Sequence, residues 1–169
     1  MQHHPAAGHP FPTADAAGLA FPDRFVLWSV RKWVLGHKSE PRALAMLEEA
    51  YARTVSRDGM GLLDALMAAL TAGASRRIAV HAPCCGPVSG DEMALLGTLA
   101  LAQSHAALDL AAPLEAFLTP AGARRAAAPA RALAEALAAS GFRLSGIRSA
   151  CPVSDPDAWT AATADATIH

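Results

Sequence analysis

Two adjacent cysteines, Cys84 and Cys85, are the residues of this chain whose chemistry is most distinctive. His81 lies three residues before the pair, and prolines stand on both sides of it. Ser89 and Glu92 then form the S-x-x-E pattern of a capping box, which predicts that a helix begins just behind the thiols. The dipole at a helix N-terminus favours thiolate over thiol. The turn is therefore a candidate for metal binding or thiol chemistry.

Three interpretations of this turn stay open. No cofactor is expected, and zinc is the alternative, with ligands from His81, Cys84, Cys85 and, further along the chain, Cys151; however, zinc usually takes four ligands and its cysteines are usually spaced C-x₂₋₄-C. A redox-sensing or nucleophilic thiolate is the second, although the C-x-x-C spacing of dithiol oxidoreductases is missing. In the third, the cysteines are small buried hydrophobes in a tight entry to the helix.

A second candidate site lies on the first expected helix, where Arg24, Trp28, Arg31 and Lys32 share one side. A basic face around a tryptophan can anchor a protein partner. Alternatively, the aliphatic parts of the basic side chains cover a half-buried indole. Nucleic acid is not expected as a partner, because the formal net charge of the chain is −1.

The composition predicts an all-α fold in a single domain. Of the 169 residues 42 are alanine, the best helix former, whereas the aromatic residues typical of strands make up only 5%. No apolar run approaches the roughly 20 residues that span a bilayer, and the N-terminus does not look like a secretory signal. Three cysteines suit a reducing compartment, so we expect a cytoplasmic protein with no membrane association.

Apolar periodicity, prolines and glycines predict a bundle of five or six helices. We expect helices over 22–35, from 42 to about 56, over 61–72, over 89–104 and over 120–140, the last kinked or split at Pro129. Residues 109–118 are expected to form a short irregular helix. Residues 77–81 could be extended beside 142–147 as a minor two-stranded element. Residues 1–19 are expected to be a mobile or loosely docked arm, 20–147 the helical domain and 148–169 a weakly ordered tail.

Three segments together, 27–34, the His81-x-x-Cys84-Cys85 turn and the helix start at 89–92, resemble small alanine-rich helical proteins of proteobacteria that have no assigned activity. The resemblance covers about residues 21–145 and implies a bacterial helical protein, but it transfers no catalytic residue. The chain also lacks a G-x-S-x-G nucleophile motif, a phosphate loop and a dinucleotide fingerprint. We therefore expect a non-enzymatic interaction or regulatory module with a protein partner or as a homodimer; the alternative is a zinc or thiol-redox protein.

Overall fold

The computed structural model describes residues 14–104 and 109–145, and these form an all-α fold. After a 3₁₀ turn at Ala16–Gly18, the described helices follow in chain order: α1 (Phe21–Lys38), α2 (Arg42–Thr54), α3 (Gly59–Gly73), α4 (Gly90–Gln103), α5 (Ala111–Leu114) and α6 (Pro120–Ala139). The expected all-α bundle is confirmed. No helix in these two stretches is both long and apolar enough to cross a membrane.

Local sequence signals explain where the helices begin. The Ser89 side chain accepts from Glu92 N, and the Glu92 side chain accepts from Ser89 N, so the capping box before α4 is complete. Thr119 caps α6 in the same way by accepting from Gly122 N. Pro129 lies inside α6, and α6 is one continuous helix, so the expected split does not occur.

Helices α3 and α6 approach one another closely where two glycines face each other. A methyl group on Gly122 would lie 2.6 Å from both Cα and the carbonyl oxygen of Gly73. The two backbones therefore meet without side chains between them. The Thr119 N–H donates to the Gly73 carbonyl over 2.9 Å, which fixes the end of α3 beside the start of α6.

Of the expected N-terminal arm, residues 1–19, the structure describes residue 14 onward. Residues 14–19 are docked: the Val88 N–H donates to the Ala14 carbonyl and the Ala16 N–H to the Gly86 carbonyl, each over 2.8 Å, and Leu19 is buried. These six residues are thus docked, one of the two alternatives expected for the arm, and the rest of the arm, like the expected tail, lies outside the described residues.

The two-stranded element expected from 77–81 and 142–147 is not present in the part of the chain that the structure describes. Residues 142–145 are held instead by side chains: Gln103 donates to the Phe142 carbonyl and accepts from Leu144 N, and Asp23 accepts from Ser145 N. Residues 77–81 are held by α4, as described below. Side chains thus supply the hydrogen bonds that a strand partner would have supplied.

Candidate functional site

A buried ion pair joins α1 to the start of α4. The Nε of Arg31 donates to Oε1 of Glu92 over 2.8 Å, and Nη2 donates to Oε2 over 3.0 Å. The exposed fraction of these side chains is 2% for Arg31 and 0% for Glu92. Arg31 also donates to the carbonyls of Cys85 (2.5 Å) and Pro87 (2.8 Å). One guanidinium therefore fixes both the helix start and the turn that carries the cysteines.

A second ion pair organises the other end of the connection between α3 and α4, residues 74–89. Arg76 binds both oxygens of Asp91 at 2.8 and 2.7 Å, and the Ala79 N–H donates to Oδ2 over 2.8 Å. One residue along the helix, Glu92 accepts from the His81 N–H over 3.1 Å. Asp91 and Glu92 thus accept hydrogen bonds from every second N–H group of the connection, which in a sheet would bond to a neighbouring strand.

Both carboxylates are tuned to remain ionised. Burial by itself would raise the pKa of Glu92, but the hydrogen bonds from Arg31 and from the N–H groups of Ser89 and His81 outweigh it, so the pKa is lowered. The Arg76 guanidinium lowers the pKa of Asp91, partly offset by burial and assisted by the Ala79 N–H. Both groups hold their neighbours in place as anions.

The cysteine turn, residues 81–87, carries three of the four predicted metal ligands, His81, Cys84 and Cys85. Cys84 is exposed and Cys85 is half-buried, and the Cys85 N–H closes the turn on the Ala82 carbonyl over 3.0 Å. Nδ1 of His81 lies 2.9 Å from the Pro87 carbonyl; since a carbonyl only accepts, Nδ1 is the donor of this contact and Nε2 is the ring nitrogen that the contact leaves free. Within residues 14–104 and 109–145, no group of three or more metal-binding side chains occurs, and Cys151 lies outside those stretches.

The predicted basic face on α1 is wrong in one member. Arg24 is exposed, and Trp28 and Lys32 are half-buried, but Arg31 points into the interior, where Glu92 neutralises it. Trp28 packs against the core beside Phe25, with ring centroids 6.1 Å apart. Helical spacing placed Arg31 correctly on the helix but could not reveal a carboxylate 61 residues away.

A groove of about 720 Å³, which sequence reasoning missed, lies between the second half of α1, the second half of α3 and the connection. Buried apolar side chains from the core form its floor, and half-buried ones form its walls. Leu70 and Phe117 lie in the floor, and the walls include Trp33, Val34, Ile78 and Val80. The indole of Trp33 is fixed because its Nε1 donates to Asp64 and its ring stacks on His37.

The fold and these sites define the chain as an all-α helical protein with a buried Arg–Glu pair, an exposed cysteine turn and an apolar groove. Comparison with protein-family models, with curated proteins and with solved structures gives no match to this chain.

Proposed function

We propose that this chain is a non-enzymatic interaction or regulatory module that docks a protein partner in the groove. The observation that carries the proposal is the partial exposure of Trp33, Val34, Ile78 and Val80 around one apolar depression. Rimmed apolar surface of this kind is typical of docking sites, and aromatic side chains are enriched among the residues that dominate binding.

The connection gives the groove a fixed wall, which favours binding. Ala79 is tied to Asp91 and His81 to Glu92 through their main-chain N–H groups. A wall that is already ordered loses little conformational entropy when a partner arrives, so more of the contact energy appears as affinity.

The charged groups beside the groove support docking over catalysis. A general acid or base works best with a pKa near the operating pH, whereas the pKa values of Asp91 and Glu92 are lowered. Their oxygens are also occupied by Arg76, Arg31 and main-chain donors. Both carboxylates are thus committed to structure.

Site-specific photo-cross-linking in the native host tests this function. A photoreactive residue would replace Thr71 or Ala79, two exposed residues that line the groove, or Glu48, an exposed residue of α2 that does not. We expect one protein adduct common to both groove positions and absent at Glu48, which forms again from the two purified proteins. No adduct at either groove position, or equal capture at Glu48, would contradict the proposal.

The same experiment separates a different protein from a homodimer. An adduct of twice the chain mass, together with a dimer in light scattering of the purified chain, identifies a second copy as the partner. An adduct of another mass, with a monomer in light scattering, identifies a different protein. Nucleic acid is not proposed as a partner, because the net charge is −1.

The exposed thiol of Cys84 favours a second candidate function, thiol-redox chemistry or zinc binding at the cysteine turn. The tautomer of His81 adds to it, since Nε2 is the nitrogen left to bind a metal. Under this proposal Cys84, Cys85 and His81 act together, with Cys151 as a further ligand. A three-cysteine chain with an exposed thiol suits the reducing bacterial cytoplasm, where we place the protein.

Two measurements test the second candidate on protein purified without a nickel column. Zinc at one equivalent that is lost in Cys84→Ser/Cys85→Ser supports a metal site; zinc that persists in that variant, or no zinc at all, removes it. Thiol titration of the native chain against pH then tests the redox alternative. A Cys84 that reacts below the usual thiol pKa of about 8.5 supports a stabilised thiolate. Reaction that follows the ordinary pKa contradicts it.

A further inference from the structure

Among the residues that line the groove positive charge is in excess; outside the lining, Asp64 is bonded to the indole of Trp33. Of the charged residues that line it, Asp91 and Glu92 are each already paired with an arginine. Lys38, at the end of α1, and Arg77 are exposed, and neither forms an ion pair with a carboxylate in the described stretches. An occupant with negative charge on either side of an apolar centre would match this surface.

The main chain of the connection favours a peptide over a small apolar molecule. The N–H groups of Ala79 and His81 point to α4, where they donate to Asp91 and Glu92. N–H groups of every second residue point to the same side in an extended chain, so those of the intervening residues, Ile78 and Val80, face the edge away from α4. No group among the described residues accepts a hydrogen bond from the N–H of Ile78 or Val80. This edge therefore offers donors that a second extended chain can use.

The side chains of Ile78 and Val80 indicate how a bound peptide would be aligned with the connection. Ile78 and Val80 contact the core cluster and line the groove, so they supply apolar surface on the strip that offers the free N–H groups. Trp33 and Val34 stand on the opposite wall. An extended peptide on this edge would place alternate side chains over the floor of the groove, while the others reach the rim near Lys38 and Arg77.

From these observations we infer that the groove binds an acidic peptide segment in extended form, which adds its main chain to residues 78–80 and inserts alternate apolar side chains. The inference rests on the proposed function and narrows the partner to one chemistry. The apolar side chains supply affinity, the main chain supplies orientation, and the acidic residues supply selectivity through Lys38 and Arg77.

Fluorescence anisotropy with a synthetic probe tests the inference on the full chain. The probe is fluorescein-Glu-Val-Asp-Trp-Asp-Ile-Glu-Gly-amide, which alternates acidic and apolar residues. A second peptide carries Lys at each acidic position. Two further peptides carry N-methyl groups on either the odd or the even residues, so that each blocks the donors on one edge of the peptide. We expect the acidic probe to bind, the lysine peptide to bind at least tenfold more weakly, and one N-methylated peptide to lose binding while the other retains it.

Matched charge variants locate the binding surface. Lys38→Glu/Arg77→Glu and Arg57→Glu/Arg143→Glu make the same change in net charge, and Arg57 and Arg143 are exposed residues that do not line the groove. We expect the first double variant to weaken binding of the acidic probe about fivefold or more at low salt, and the second less than twofold, because exposed charges act over about a Debye length. Circular dichroism verifies that both variants fold. If the first does not, the single variant Arg77→Glu carries the same prediction with a smaller factor, compared with Arg57→Glu.

Four results would overturn the inference. These are an acidic probe that does not bind at about millimolar concentration, a lysine peptide that binds as tightly, two N-methylated peptides that both bind unchanged, and equal weakening by the two charge variants. If any of these four results is found while the protein is still cross-linked to a partner at Ala79, the proposed docking function is retained and only the acidic, extended peptide is refuted as the partner. A second copy found at Ala79 would likewise replace the acidic peptide as the occupant.

Discussion

Replacement of Arg31 by methionine should be among the most damaging single changes in this protein. Methionine keeps an apolar stem but is shorter than arginine, and it removes the four hydrogen bonds of Arg31, two to Glu92 and two to the carbonyls of Cys85 and Pro87. Glu92 would keep only its main-chain donors while it remains buried. Removal of one member of a buried ion pair costs about 3–5 kcal/mol, so we expect Arg31→Met to lower the free energy of unfolding by that amount.

A second substitution, Glu92→Gln, makes the prediction specific, because its effect on the free energy of unfolding should have opposite signs in the Arg31→Met and wild-type backgrounds. In the Arg31→Met background, Glu92→Gln should raise stability at pH 7, because glutamine removes the uncompensated charge and its amide oxygen still accepts from Ser89 N in the capping box, although its amide nitrogen cannot accept from the His81 N–H. We expect the double variant to cost only about 1–3 kcal/mol, mostly from the two carbonyls that lose their donor. In the wild-type background the same Glu92→Gln change should destabilise, since it leaves Arg31 buried without its counter-ion.

Urea unfolding followed by far-ultraviolet circular dichroism would measure this cycle at pH 7 and 25 °C. Arg53→Met is the matched control, because Arg53 pairs with Glu49 across one helical turn in full solvent and should contribute only about 0.3–0.5 kcal/mol. The reasoning is refuted if Arg31→Met costs no more than the control, or if Glu92→Gln destabilises the Arg31→Met background as it does the wild type.

Three further predictions use the same unfolding assay. Because the pKa of Glu92 is lowered in the folded state, the ionised carboxylate contributes its full stabilisation above about pH 4.3, and this is lost as the pH falls through the folded pKa. Glu92→Gln should therefore make the free energy of unfolding depend less on pH in acid, and an unchanged pH dependence would contradict the lowered pKa. Gly122→Ala should cost about 1–3 kcal/mol through backbone overlap, whereas Gly61→Ala, which meets nothing within 4 Å, should be neutral or stabilising by up to about 1 kcal/mol; equal effects would refute the close approach. Gln103→Leu should cost about 1–3 kcal/mol because it strips hydrogen bonds from residues 142–144, and an unshifted midpoint would count against that role.

Local signals in the sequence were sufficient to predict the helices. The capping box at Ser89 and Glu92, the Thr119–Pro120 start of α6 and the glycines at the ends of helices act within a few residues, which is the range that spacing can report. These signals predicted the all-α fold and placed both ends of α1 to α4 and α6 within a few residues of the observed ends.

Long-range contacts could not be predicted in the same way. The partner of Arg31 lies 61 residues along the chain, and periodicity specifies the side of a helix but not what faces it. The sequence suggested that residues 77–81 were extended and paired with 142–147. In the structure their alternate N–H groups are satisfied by Asp91 and Glu92, a side-chain solution that no strand pattern reveals.

The groove was missed for a related reason. Trp33 and Val34 recur at helical spacing with Val26 and Val30, and an apolar stripe of this kind ordinarily indicates the core-facing side of a helix. Val26 and Val30 are buried, but the connection at residues 76–80 covers only part of the last turns of α1. Incomplete cover by a loop depends on the tertiary structure, so the sequence alone could not separate core from docking surface.

The account depends most on the connection being a fixed wall of the groove, and backbone ¹⁵N relaxation of the full chain tests this directly. Because Asp91 and Glu92 hold the N–H groups of Ala79 and His81, we predict order parameters near the helical value of about 0.85 for these two amides. Values below about 0.6 would show a flexible segment and would contradict both the carboxylate anchoring and the preformed groove.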